Sequence, residues 1–225
     1  MSAVSPKSHL TLETDGAVRL GRAAFSLLSD LHALAVTLPA ERAGTRLCGI
    51  PALTALLLPL GRIAATRLGP KTRAVRAILF DKTADTNWAL GWHQDRVIAV
   101  RQRIDTPGYG RWSIKRGIVH VAPPEALLAG MLTMRVHLDA VPVTNAPLLI
   151  APGSHRSGRI NEDRIESIVT ACGSVACLAE AGDVWLYATP IVHASAAAVR
   201  PARRRVLQID FAACDLPGEL AWLGV

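Results

Sequence analysis

With 225 residues, half of them hydrophobic, the chain is long enough to bury a sizeable core as one domain; aromatics are only 4%, so Ala, Leu and Val must fill most of the interior. The formal net charge of +7 raises nucleic acid as a partner, but the basic residues fall in short groups (Arg96, Arg101, Arg103; Arg111, Lys115, Arg116; Arg200, Arg203, Arg204, Arg205). With no basic tail and no aromatic-basic repeat, a solvated basic face or an anionic small substrate is the better reading, and no nucleic-acid partner is expected.

The start, Met1 to Lys7, lacks the basic and then apolar run of a secretory signal. The best apolar stretch, Pro51 to Leu60, holds two prolines and is too short to cross a bilayer, so no membrane partner is expected. Cys48, Cys172, Cys177 and Cys214 form no CxxC pair and read as reduced, mostly buried thiols of a soluble cytoplasmic protein. No internal repeat or low-complexity tract is present, and oligomeric state is not readable.

In chain order, the first seventy residues read mainly as helices: Arg22 to Leu38 has apolar residues at helical spacing, and Ile50 to Leu68 does so despite Pro59. From Lys71 the period changes to two. Val75 to Phe80, Trp92 to Arg101, Leu132 to Asp139, Leu148 to Ala151, Val184 to Tyr187 and Arg203 to Ala213 are the predicted strands. Ile104 to Pro124, rich in Gly and Pro, reads as a long loop serving as a lid. Pro152-Gly153-Ser154-His155 reads as a turn closing a hairpin, with His155 structural, and Gly182-Asp183 as the turn into the next strand.

One constellation carries chemistry. His93 and Asp95, in Trp92-His93-Gln94-Asp95, stand at i and i+2, which share a face of a strand, while Gln94 turns the other way. His193 follows about a hundred residues later. Two imidazoles and one carboxylate are the facial set that holds Fe(II) by three corners and leaves three positions open. Such a pair also occurs among ordinary packed histidines, so its context decides.

That context resembles the phytanoyl-CoA dioxygenase family of Fe(II)/2-oxoglutarate-dependent oxygenases. The matching stretches are Trp92 to Asp95, Asn145 to Arg156, Ala181-Gly182-Asp183-Val184-Trp185, and His193-Ala194-Ser195 with Arg204, in the family's order and spacing; Asp15-Gly16-Ala17-Val18 is a weaker match. The resemblance implies an α+β, mainly β fold: a double-stranded β-helix, the cupin-like jelly-roll barrel, over about 71–215, with N-terminal helices (about 1–70) packed on one side, all in a single domain over 1–225. It implies His93, Asp95 and His193 as iron ligands and catalytic centre, and Arg204 as the partner of the distal carboxylate of 2-oxoglutarate. A planar guanidinium suits a carboxylate, and in a strand Arg203 and Arg205 point away from Arg204.

Ser195 and Gln94 match family positions beside the cosubstrate. A backbone-bonded hydroxyl is the plain alternative for Ser195. Lys82 falls where the family often adds a polar contact, and a solvated strand-end lysine is the alternative. Trp88, Trp92, Tyr109 and Trp112 are substrate-wall candidates, with Arg101, Arg103 and Arg135 as charge partners; core packing and structural ion pairs are the plain alternatives.

The implied activity is hydroxylation of an unactivated C–H bond of a small organic molecule with O2 as cosubstrate, 2-oxoglutarate being decarboxylated to succinate and CO2. Halogenating relatives replace the carboxylate ligand by a small residue; Asp95 is retained. Desaturation and cyclisation stay open, as do a non-catalytic metal- or ligand-binding jelly roll and a nucleic-acid-directed oxygenase.

Overall fold

The computed structural model describes residues 9–38 and 44–225. The Met1 to Lys7 stretch lies outside the described residues. The elements are α1 (Leu12–Asp15), β1 (Ala17–Leu20), α2 (Leu28–Val36), β2 (Thr45–Leu47), α3 (Pro51–Leu68), β3 (Arg73–Lys82), β4 (Leu90–His93), β5 (Ile98–Val100), β6 (Gly110–Lys115), β7 (Ile118–Ala122), α4 (Glu125–Ala129), β8 (Leu132–His137), β9 (Leu148–Ile150), α5 (Ile165–Cys172), β10 (Val175–Cys177), β11 (Val184–Ala188), β12 (His193–Ser195) and β13 (Arg204–Ala212). Six strands form the larger sheet in the order β1-β11-β8-β13-β3-β2, four the smaller in the order β10-β9-β12-β4, and β5-β7-β6 form a third.

Period-two alternation gives the larger sheet two unlike faces. On β3 and β13, Ala77, Leu79, Leu207, Ile209 and Phe211 join the core made with the helices. The alternate residues Arg76, Ile78, Phe80, Lys82, Arg204 and Gln208 line a cavity on the other side. Helix α3 starts with Pro at its first turn, where the missing N–H costs nothing, and continues through Pro59. Its buried Leu53, Leu56, Leu57, Leu60 and Ala64 form the apolar stripe of an amphipathic helix; burial of each leucine stabilises by roughly 1.5–3 kcal/mol. The expected N-terminal helical cover on one side is present.

The smaller sheet packs on the cavity side: Trp185 and Tyr187 of β11 share a core with Leu148, Ile150, Val175 and Cys177. Two antiparallel sheets facing each other with a cavity between them make the jelly roll, and distant strand ends meet there.

Several expected elements are drawn differently. Helix α2 begins at Leu28 after a short 3-10 turn, not at Arg22. Two strands, β1 and β2, lie within the stretch read as mainly helical. The cause at β1 is local: α1 is a single turn capped by Thr11, and Gly16 at φ 73° reverses the chain into the strand. A Cβ at Gly16 would collide with the His155 ring, which gives His155 its packing role. Trp92 to Arg101 is not one strand but two in different sheets, β4 and β5.

The stretch from Ile104 to Pro124 is not a structureless loop. It holds the β6–β7 hairpin, whose two-residue turn puts Arg116 at φ 54° and Gly117 at φ 78° between the paired Lys115 and Ile118. Positive φ at both central residues is the hairpin turn that matches strand twist. Pro152 to His155 does not close a tight hairpin either: a 3-10 turn at Ser154–Ser157 and then α5 intervene before β10 returns to pair with β9. Gly182-Asp183 does lead into β11. There the Asp183 carboxylate accepts from Arg19 and from the backbone N–H groups of Arg22 and Glu180.

All four cysteines are free, but only Cys177 is buried; Cys48 and Cys214 are exposed. Among the described residues no helix is long and apolar enough to cross a membrane.

Candidate active site

The cavity floor is a ladder of cross-strand rows on the inner face of the larger sheet. Lys82 pairs with Arg204; Phe80 with Val206 and then His137; Arg46 with Ile78, Gln208 and Arg135; Arg76 with Asp210, Thr133 and Tyr187. A strand rises about 3.3 Å per residue, so the first and last rows, six residues apart on β3, are separated by about 20 Å. The cavity above encloses about 510 Å³.

At the Arg76 end the smaller sheet supplies the candidate ligands. His193 on β12 lies opposite His93, the last residue of β4, and Asp95 follows just beyond that strand. The two imidazole centroids are 4.3 Å apart, and one ligand atom from each of His93, Asp95 and His193 lies within 4.8 Å of the others. Each Nδ1 is 2.7 and 3.0 Å from a backbone carbonyl, of Gly91 for His93 and of Ile191 for His193. An Nδ1–H donated to a carbonyl leaves the Nε2 lone pair for a metal, the usual arrangement of ligating histidines. Burial holds the His193 imidazole down to about 4, so it is neutral, the form that ligates. The donor set therefore fits a divalent first-row metal.

Arg76 sits behind Asp95. Its Nη2 donates to Asp95 Oδ2 at 3.2 Å and its Nε to Asp210 Oδ2 at 2.5 Å; Asp210 also accepts from Thr133, which is 3.1 Å from Thr189. Burial alone would raise the Asp95 carboxyl, but Arg76, His193 and His93 outweigh it and hold the group below its usual range. The carboxylate is thus charged and aimed before any ion arrives.

At the other end no carboxylate among the described residues pairs with Arg204, Lys82 or Arg135. Arg204 is buried and donates to the Asn145 carbonyl at a long 3.4 Å; burial, with Arg135 nearby, lowers it to about 10. Lys82 donates to the Trp88 carbonyl at 3.0 Å with its ammonium 4.0 Å from the Trp88 ring, and burial, Arg204 and Arg135 lower it to about 8. Arg135 donates to Gln208 at 2.8 Å, and its buried Nε has no partner. Arg203 and Arg205 point away, to Asp81 and Asp139. Three cations on one cavity wall, with no carboxylate paired to them among the described residues, have the charge and donors that a carboxylate would require.

Ser195 lines the same cavity, its hydroxyl only 3.4 Å from the Ala196 carbonyl. Gln94 is elsewhere. Its Nε2 donates to the carbonyls of Gly158 and Pro190 and its Oε1 accepts from Ile160 N, so the side chain clamps loops on the far side of the strand, as alternation alone requires. Of the aromatic candidates Trp88 lines the cavity; Trp92 packs near Ile160 and Ile165, and Tyr109 and Trp112 against the third sheet. Arg101 and Arg103 are exposed, Arg103 beside Asp105. Arg76, Arg46, Gln208 and His120 line the cavity without having been singled out. Their pairing with strand neighbours is the signal, and it needs the register.

The sequence model of the phytanoyl-CoA dioxygenase family matches residues 65–206. The chain belongs to the phytanoyl-CoA dioxygenase family. That places it among the 2-oxoglutarate-dependent non-haem iron oxygenases. Among solved structures, EctD from S. alaskensis with bound Fe is similar at 20% identity and a TM-score of 0.67, over 99% of this chain and 81% of that one. The 2-oxoglutarate-dependent carbocyclase SnoK from nogalamycin biosynthesis is similar at 18% and 0.66, over 100% and 91%. The epimerase SnoN from the same biosynthesis is similar at 16% and 0.62, over 92% and 85%. These likenesses show that the family's fold is shared along nearly the whole chain. No curated protein matches the chain.

Proposed function

We propose that this family member hydroxylates an unactivated C–H bond of a small organic substrate, holding Fe(II) through His93, Asp95 and His193 and 2-oxoglutarate through Arg204. The observation that carries the proposal is one cavity with three convergent ligand atoms at one end and an acid-free cluster of cations at the other. Bound there, iron with 2-oxoglutarate and O2 supplies an oxidant strong enough to take hydrogen from carbon, with succinate and CO2 as co-products.

The chain's own groups do the rest. His93, Asp95 and His193 would hold the metal from one side of the cavity and leave room for substrate chemistry. Arg204 would hold the far carboxylate of 2-oxoglutarate, its planar fork suited to fixing direction as well as charge, while Lys82 and Arg135 would add positive potential. Ser195 has a hydroxyl free to turn toward the same molecule. Ile78, Phe80, Leu90 and Leu148 wall the space with apolar surface, from which a bound substrate would displace water and so strengthen the charge interactions inside.

Retention of Asp95 supports hydroxylation over halogenation. SnoK and SnoN are a carbocyclase and an epimerase on a similar fold, so the fold alone does not fix the outcome, and substrate placement is the determinant in this reading. The decisive experiment is an anaerobic titration of Fe(II) and 2-oxoglutarate, watched for the weak visible charge-transfer band, followed by admission of O2 and measurement of succinate. A band and iron-dependent succinate are expected. Metal binding without any 2-oxoglutarate binding would favour a ligand-binding jelly roll instead.

A further inference from the structure

Seven cationic side chains line the cavity against one carboxylate, Asp95, which Arg76 already engages. Arg204, Arg135 and Lys82 suffice for the far carboxylate of one diacid. Arg46, Lys115 and Arg116 remain, and they sit apart: Arg46 is on the edge strand β2, three strand spacings from Arg135 in the same row, about 14 Å. The hairpin turn brings Lys115 and Arg116 to this edge, and Arg116 anchors itself on the Gly44 carbonyl at 2.8 Å.

Two atoms at this end are buried and unpartnered. Arg46 Nε has no acceptor, and His120, wholly buried on β7, ties Nδ1 to the Ile118 carbonyl and leaves Nε2 with nothing. Buried polar atoms without partners are rare in folded proteins and commonly await a ligand or water. Arg46 is acted on by burial and by two more arginines, Arg76 and Arg116, all of which disfavour its charge. Among the described residues no carboxylate pairs with Arg46, Lys115 or Arg116. An incoming anion would satisfy Arg46 Nε and offset the crowded positive charge, while His120 Nε2, an acceptor, would need a donor beside that anion.

Resting on the oxygenase reading above, we propose that this end of the cavity is the subsite for an anionic group of the oxidised substrate, a carboxylate or a phosphate. Arg46 is its main contact, Lys115 and Arg116 flank it, and His120 Nε2 accepts a hydrogen bond from a neighbouring donor of the substrate. Arg46 stands one strand away from the row end at Arg76, so an anion here holds the rest of the substrate beside the metal-binding end.

The test uses the full chain loaded with Ni(II) and saturating 2-oxoglutarate, which occupies the Arg204 end. Phenyl phosphate, benzoate and the neutral benzamide are titrated by calorimetry. One or both anions are expected to bind at least about tenfold more tightly than benzamide, with weakening as salt rises; the tighter of the two names the group. Arg46→Gln and the exposed-turn variant Lys115→Gln are expected to weaken the anion by about tenfold and about threefold, with Arg46→Lys recovering part of the loss and 2-oxoglutarate affinity holding within about twofold. Equal binding of benzamide and both anions, no probe binding while 2-oxoglutarate still binds, or anion affinity unmoved in the Arg46 and Lys115 variants would each overturn the subsite. Loss of metal and 2-oxoglutarate binding in the unaltered protein would instead overturn the oxygenase reading, and the subsite with it.

Discussion

Arg76 and Arg204 face one cavity from adjacent strands under opposite circumstances. Arg76 is locked between two carboxylates, Asp95 and Asp210, whereas Arg204 has a long contact to a carbonyl and two neighbouring cations. A guanidinium whose donors are spent inside the protein can only position its neighbours. One whose donors are idle and desolvated is built for something that arrives. The contrast separates the end that carries the candidate metal ligands, where the charges are already paired, from the end proposed to be completed by 2-oxoglutarate.

The most severe way to break the contrast is to remove the prepared end. His93→Ala, Asp95→Ala and His193→Ala are each expected to abolish metal binding and turnover, read by metal titration and succinate release; near-normal turnover in any one refutes that ligand. Next, Arg76→Met strands Asp210 without its ion pair, and breaking a buried pair costs about 3–5 kcal/mol. Urea unfolding is expected to register that loss, and metal affinity to fall with it. Adding Asp210→Asn is expected to restore stability but not metal affinity, because Asp95 is still unsupported.

At the other end the effect moves from stability to ligand. Arg204→Met removes charge-assisted hydrogen bonds worth about 1.5–3 kcal/mol, so the Kd for 2-oxoglutarate is expected to rise roughly 10- to 150-fold with unfolding free energy no lower than before. Arg204→Lys, which keeps charge but not the fork, falls between. An Arg204→Met protein that loses stability while binding 2-oxoglutarate normally would reverse the assignment of the two ends.

A further test, smallest per unit of pH, concerns His137, whose ring nitrogens are both buried without partners. Burial, then Arg135 and Arg204, holds it down to about 3 from an ordinary 6.5. The unfolded chain therefore takes up this proton first: the stability His137 contributes is complete above pH 6.5 and is lost as pH falls from there toward 3. The slope is about 1.4 kcal/mol per pH unit. His137→Leu is expected to flatten the acid side of the stability curve by that amount, measured by urea unfolding between pH 7 and 4.

The metal end was legible in the chain because its signal is local: two ligands at i and i+2 and a third in a recognisable stretch. Arg204 was separable from Arg203 and Arg205 by alternation. The same rule placed Gln94 on the opposite face, and there it outweighed the resemblance that put Gln94 beside the cosubstrate. Arg76 and Arg46 were not legible, since an arginine in an apolar run acquires meaning only from the strand across from it. The β6–β7 hairpin was hidden by the Pro and Gly residues around 107–110, which punctuate as a loop does, although Ile118 to Val121 holds β-branched residues typical of a strand. His120 lies inside that stretch, and only the pairing of β7 with β5 and β6 gives it a place by the cavity.

Strand β4 forms the border of the smaller sheet, fastened to β12 at His93 and Leu90 with a shift of register between them. A border so lightly stitched frays readily. Because an ion at this site takes donors from both sides of that seam, occupancy and local order become a single equilibrium. Metal loading is therefore expected to close the hem of the sheet and to slow amide exchange at Leu90 to Asp95, the segment that carries two of the three donors.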